Sequence, residues 1–222
     1  MPSSTVEDYL KSILRLDETA GREVTVGGIA EDLGVTPGTV SSMMRHLSEA
    51  GMVDYVPRRS VTLRKKGRTE ALRVVRRHRL VETFLVTVMK LDWSEVHEEA
   101  EVLEHVISDR LLERMDEMLG HPSHDPHGDP IPDPLGNFAD DQTLLPLSDA
   151  ASGAFRVVRV SDSDPAFLDW LREHRLQPGC EFELSERDPV AGVVEIRFAG
   201  KTAPLQLGEK AAARILVESA AR

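Results

Sequence analysis

Along the first sixteen residues the apolar positions Val6, Tyr9, Leu10, Ile13, Leu14 and Leu16 return every three or four residues. That spacing predicts an amphipathic helix with Asp8 and Lys11 off its apolar stripe. A second helical pattern in Ile29, Ala30 and Leu33 stops at Gly34. Thr36 then offers a side-chain cap, Pro37 suits a first helical position, and Val40, Met43, Met44 and Leu47 mark the buried face of a helix ending at Gly51. Met52 to Val56 and Val61 to Leu63 alternate as two short strands around the polar turn Pro57-Arg58-Arg59-Ser60. Helix, tight turn, capped helix and hairpin make a winged helix-turn-helix, which sets one helix in the major groove of double-stranded operator DNA. In this reading Thr36, Thr39, Ser41, Ser42, Arg45 and His46 face the DNA from that helix, and Arg58 and Arg59 on the wing hold the backbone. Short Ser and Thr side chains discriminate bases weakly, so DNA shape contributes to specificity.

Two longer helical patterns follow, from Gly67 to Met89 and from Ser94 to Leu119. They carry more apolar surface than one partner covers, which predicts a homodimer suited to a two-fold operator. From His121 to Pro134 the prolines rule out a helix or sheet interior, so this segment is a loop. Beyond Ala154 come strand-like stretches at Phe155 to Val160, around Phe182, at Val193 to Phe198 and at Ala203 to Leu207, with a short helix from Pro165 to His174. A small β-barrel is the simplest arrangement. The fold class is then mainly α with small β. Its expected parts are a DNA-binding domain at 1–73, a helical metal-binding and dimerisation domain at 74–140, a linker at 141–153 and the β domain at 154–222.

Composition narrows the partners. With 41% hydrophobic and 29% charged residues, and no apolar run of the roughly 18 to 20 residues a membrane span needs, the chain reads as a soluble cytoplasmic protein with no membrane partner. The start of the chain lacks a secretory signal pattern. Cys180, the single cysteine, excludes an internal disulfide and a thiol-only metal cluster, and reads as a small packing residue, as do Trp93 and Trp170. The net charge of −11 is uneven: residues 1 to 80 hold 14 Lys/Arg against 10 Asp/Glu, and the rest hold 13 against 28. A basic first part suits phosphates, and an acidic remainder suits cations.

The acidic part holds the most informative stretch, His97-Glu98-Glu99-Ala100-Glu101-Val102-Leu103-Glu104-His105. On one helix, His97, Glu101, Glu104 and His105 share a face. His78 and Glu82 are four apart on the preceding helix, and Asp8 lies on the free side of the first, giving seven candidate ligands. Carboxylates and imidazoles without thiolate suit Mn2+ or Fe2+, while Zn2+, Co2+ or Cd2+ can substitute because intrinsic affinity does not select among them. A metal-dependent hydrolase is the rival from another class, but no zinc-protease motif, nucleophile elbow or phosphate loop is present, so no enzyme is expected. A winged-helix sensor of a small organic ligand and a pure interaction module are further rivals, and no organic ligand is expected.

The winged helix with Thr36-Pro37-Gly38-Thr39-Val40-Ser41, the segments Arg77-His78-Arg79-Leu80-Val81-Glu82, Val96-His97-Glu98-Glu99-Ala100-Glu101 and Glu104-His105-Val106-Ile107-Ser108-Asp109, and His127-Gly128-Asp129-Pro130-Ile131-Pro132 occur in this order. Together they resemble the diphtheria toxin repressor and manganese transport regulator family of metal-dependent transcription factors, over nearly the whole chain. The resemblance implies an SH3-like C-terminal domain and a regulator of metal-homeostasis genes, whether by repression or activation. It implies a regulatory site of Asp8, Glu101, Glu104 and His105. It also implies a second site of His78, Glu82 and His97, with Asp162 or Asp164 of the last domain as candidate helpers. Iron-responsive members carry methionine and cysteine where this chain has Asp8 and Glu101, so the resemblance implies the manganese branch, with the iron-responsive repressor as the alternative. Lys11 stands where short manganese regulators carry glutamate, which implies one ion per regulatory site. His121, His124 and His127 are expected to be solvated or to pin their loop.

Overall fold

A computed structural model describes residues 3–20, 23–138, 144–161, 164–188, 190–200 and 203–220. Contacts divide the chain into two compact units. Unit one is Met1–His78 with Glu101–Arg114 and Pro132–Phe138; unit two is Arg79–Ala100 with Met115–Ile131 and Ala139–Arg222.

Unit one opens with α1 (Ser4–Ala20), α2 (Val26–Asp32) and α3 (Pro37–Glu49), then a hairpin of β1 (Val53–Tyr55) and β2 (Val61–Leu63). The caps are local chemistry: Thr25 Oγ1 accepts from Gly28 N–H, and Thr36 Oγ1 accepts from Thr39 N–H with Pro37 in the first turn. The periodic apolar residues bury together, with Leu10, Ile13, Leu14, Ile29, Val40, Met44 and Leu47 in one core alongside Val53 and Val61. The long α4 (Lys65–Thr87) begins directly behind the wing. A Cβ at Gly67 would lie 2.1 Å from the Met52 carbonyl oxygen, so this helix start requires glycine.

The helix expected from Ser94 to Leu119 is two helices, α5 (Val96–Leu103) and α6 (Asp109–Leu119). No glycine or proline marks the break, so periodicity reads straight through it. The chain instead turns at Glu104 to Ser108, where Ile107 N–H bonds the Leu103 carbonyl and the Ser108 hydroxyl accepts from Leu111 N–H. Glu104 and His105 therefore leave the face they would share with His97 on a continuous helix.

Unit two carries a six-stranded sheet in the order β3-β8-β4-β5-β6-β7. Its strands are β3 (Leu145–Pro146), β4 (Gly153–Val160), β5 (Glu181–Asp188), β6 (Val193–Arg197), β7 (Leu205–Gly208) and β8 (Ile215–Ser219). Two helices, α7 (Pro165–His174) and α8 (Glu209–Ala212), complete it. Val157, Val160, Leu168, Leu171, Leu184, Ile196, Ile215 and Val217 form its core, joined by Trp93; Trp170 and Cys180 pack against it half-buried. The expected closed, SH3-like barrel is not what forms. Among the described residues β3 and β7 stand at opposite ends of the strand order and do not pair with each other, so the sheet is open. The chain leaving β7 turns at once into α8, which lies against the 3-10 turn Leu147–Asp149 that follows β3, so helical turns stand where a closing ladder would be needed. Among the described residues no helix is long and apolar enough to cross a membrane.

Candidate metal centre

In unit one the turn after α5 meets α1. His105 Nε2 lies 2.9 Å from Asp8 Oδ1 and 3.4 Å from Glu104 Oε1. One ligand atom from each of Asp8, Glu104 and His105 falls within 4.8 Å of the others, a spacing one cation can span. Two carboxylates and an imidazole are hard donors of the kind that hold manganese or ferrous iron, so the residues present fit such an ion. Glu104 is fully buried, and its second oxygen lies 2.6 Å from His78 Nδ1. Glu101 is half-exposed, 3.7 Å from the same His78 nitrogen. Burial raises the Asp8 carboxyl above its ordinary value, against the opposing pull of His105 and Lys11.

Three further residues complete this centre, and sequence patterning overlooked the role of each. Glu7 is buried, accepts from Arg77 at 2.7 Å through one oxygen, and lies 2.7 Å from His105 Nδ1 through the other. It fixes the ring so that Nε2 faces Asp8 and Glu104, as carboxylates behind metal-bound histidines do. A charged residue on the core side of α1 was the available signal. Lys11 reaches Glu101 Oε1 at 2.7 Å and Glu104 Oε1 at 2.6 Å. Burial disfavours its charge, yet Glu104 and Glu101 outweigh that and hold the ammonium above its usual value.

Unit two holds a second cluster. His97 Nδ1 lies 3.2 Å from Glu82 Oε1, and the second Glu82 oxygen faces His127 Nδ1 at 3.7 Å. Ligand atoms of Glu82, Asp125 and His127 also fall within 4.8 Å of one another, and all three residues are buried. The loop histidines thus behave differently. His121 is exposed beside Asp116, and His124 is exposed beside Ser123. His127 is fully buried, stacks on Trp93 and donates from Nε2 to the Trp93 carbonyl. Burial alone would lower its pKa, but Glu82, Asp125 and that carbonyl push it up to about 9. Asp125 is driven well above the carboxylate range by burial, Asp129 and Glu82. Asp164 caps α7 through Phe167 N–H and pairs with Arg214 at 3.0 Å; Asp162 lies outside the described residues.

The residues expected from sequence to read DNA lie on and around α3 and on the wing. Thr36, Thr39, Ser42, Arg45 and His46 are exposed, Ser41 is half-buried, and the Ser41 carbonyl accepts from Arg45 Nε at 3.2 Å. Arg58 and Arg59 are exposed at the wing tip, Arg58 in the left-handed region with φ of 67°.

Comparison with known proteins names the arrangement. Residues 1–61 match the N-terminal DNA-binding domain of the iron-dependent repressors, and residues 64–133 match their metal-binding and dimerisation domain. The chain is 33% identical over 211 residues to the diphtheria toxin repressor of Corynebacterium diphtheriae, covering 90% of this chain and 92% of that protein. The chain belongs to the diphtheria toxin repressor family. Members of this iron-dependent repressor family are DNA-binding transcriptional regulators, not enzymes, and the hydrolase alternative falls with that assignment. Two solved structures of the same kind are similar throughout. A manganese-dependent transcriptional repressor in complex with manganese is 39% identical with a TM-score of 0.90, covering 97% of this chain and all of that one. ScaR with bound Zn2+ is 30% identical with a TM-score of 0.81, covering 97% and 99%. Residues 145–219 match the FeoA domain, which agrees with the open sheet and replaces the SH3-like expectation.

Proposed function

We propose that this repressor responds to Mn2+, with Asp8, Glu104 and His105 as its regulatory donors and Glu101 beside them. The observation that carries the reading is the convergence of those three donors within 4.8 Å, one of them on the first helix of the DNA-binding domain. The hard donor set favours manganese, with Fe2+ as the alternative and Zn2+, Co2+ or Cd2+ as substitutes in vitro. Support also comes from the similarity to a manganese-dependent repressor. A bound divalent cation supplies the positive charge that joins these carboxylates. Asp8 then ties α1 to the segment after α5, His105 is held in place by Glu7, and the cap residue Thr36 with Thr39, Ser41, Ser42 and His46 of α3 are steadied for the major groove while Arg58 and Arg59 grip phosphates. A cation that binds the DNA-competent arrangement better shifts the population by no more than its differential affinity, commonly about 1 to 3 kcal/mol.

A second centre in unit two is proposed at Glu82, Asp125 and His127, with His97 adjoining Glu82; His78, expected from sequence to join Glu82 and His97, serves Glu104 in this reading. The protein acts in the cytoplasm as a homodimer. Operator binding titrated against Mn2+, Fe2+ and Zn2+ at fixed salt tests the reading. Manganese should strengthen wild-type binding by roughly tenfold or more, and Asp8→Ala should keep fold and dimer while losing that response. An undiminished manganese response in the variant refutes the route through α1.

A further inference from the structure

Lys11 brings a cation inside the carboxylate group of unit one. Its side chain is 19% exposed, and the Glu104 oxygen it holds at 2.6 Å is the one that also faces His105 Nε2 at 3.4 Å. The ammonium therefore engages the very oxygen that Glu104 would turn to an ion shared with Asp8 and His105. The other Glu104 oxygen is occupied by His78.

We propose that Lys11 is a tethered competitor for this metal centre: its ammonium neutralises Glu101 and Glu104 in the metal-free protein, and displacing it sets the metal concentration at which the regulator responds. The proposal rests on the reading of Asp8, Glu104 and His105 as donors. Two physical arguments carry it. First, Glu101 in the last turn of α5 and Glu104 just beyond it both reach the Lys11 ammonium, and Glu104 is wholly buried, so the pair without a counter-charge would be strongly self-repelling. Lys11 removes that cost from the metal-free protein and so stabilises the state that metal binding must leave. Second, a divalent charge beside Glu104 Oε1 would repel an ammonium on the same oxygen, and this repulsion subtracts from affinity. Lys11 can relieve it without unfolding anything. Glu101, its other partner, is 39% exposed, and a four-carbon stem lets the ammonium retreat to Glu101 and solvent while Glu104 turns to the ion. The result is an adjustable threshold instead of a blocked site.

A lysine placed only for packing or fold stability makes the opposite prediction, since its loss would leave affinity unchanged or weaken it. Calorimetric titration of Mn2+ into the full-length protein separates the two. Lys11→Met and Lys11→Gln should each bind manganese roughly tenfold or more tightly than wild type, and Lys11→Arg, which keeps a cation, should stay within about threefold. In thermal melts the Lys11→Met variant should lose stability in chelator and regain it with manganese. Lys11→Gln retains a hydrogen-bond donor for the glutamates and carries the test where the methionine variant does not fold. Manganese affinity in the Met and Gln variants equal to or weaker than wild type overturns the proposal. A wild-type protein that takes up no manganese, or an Asp8→Ala variant with undiminished uptake, instead overturns the assignment of the donors.

Discussion

Asp8 lies on the side of α1 that the apolar stripe leaves free, half-exposed, where its loss costs little folding energy. Glu7, its neighbour, is buried against Arg77 and meets the opposite nitrogen of the same His105 ring. In the proposed centre the two carboxylates divide the work, Asp8 as a donor and Glu7 as the group holding the His105 imidazole. Glu7→Gln should therefore weaken manganese binding about 10- to 100-fold in calorimetric titration. A near-wild-type affinity in that variant would show that His105 is oriented by its surroundings without Glu7. That Asp8, Glu104 and His105 come together was expected from sequence because carboxylates and imidazoles cluster on separate segments, although the shared helix face expected for Glu104 and His105 does not form. The pairing of Glu7 with Arg77 was not, because a charged residue on the core side of α1 signals the need for a partner without saying which, and that partner lies 70 residues away.

At the level of elements, the interruption between α5 and α6 distributes the candidate ligands. Periodicity predicted one helix and therefore one face for His97, Glu101, Glu104 and His105. The turn at Glu104 to Ser108 sends Glu104 and His105 toward α1 and leaves His97 beside Glu82. The proline-rich loop was read correctly as a loop, yet composition gave no hint that Asp125 and His127 are buried with Glu82. That burial makes the stability of unit two depend on pH. His127 is raised from 6.5 to about 9 in the folded state, so its contribution is complete below about pH 6.5 and is lost as pH climbs through 9. Asp125 is raised as well, which disfavours the ionised form and acts with the same sign. In chelator, the melting temperature should fall between pH 6.5 and 9, with a loss of at most a few kcal/mol, and manganese should blunt the decline. A melting temperature that rises over this interval in chelator would contradict the assigned environment of His127.

Across the whole molecule, a net charge of −11 conceals a basic first part and an acidic remainder, the division expected of a protein that meets phosphates with one part and cations with another. Val102, Val106 and Leu111 stand 68%, 74% and 50% exposed within the stretch that matches the dimerisation domain, and are the candidate surface for self-association. Val106→Glu should leave the monomer's thermal stability nearly unchanged and weaken the dimer by about 2 to 4 kcal/mol, measured by sedimentation equilibrium. An unaltered dimer would move the interface elsewhere. The overall family was legible from ordered motifs, whereas the open sheet of unit two was not, because short alternating strands look alike whether or not their ends meet. The most direct test is anomalous diffraction at the manganese edge from crystals grown with Mn2+. A peak flanked by Asp8, Glu104 and His105, with the Lys11 ammonium drawn off Glu104, is the predicted result. Ordered water and no anomalous signal between those three side chains would contradict it.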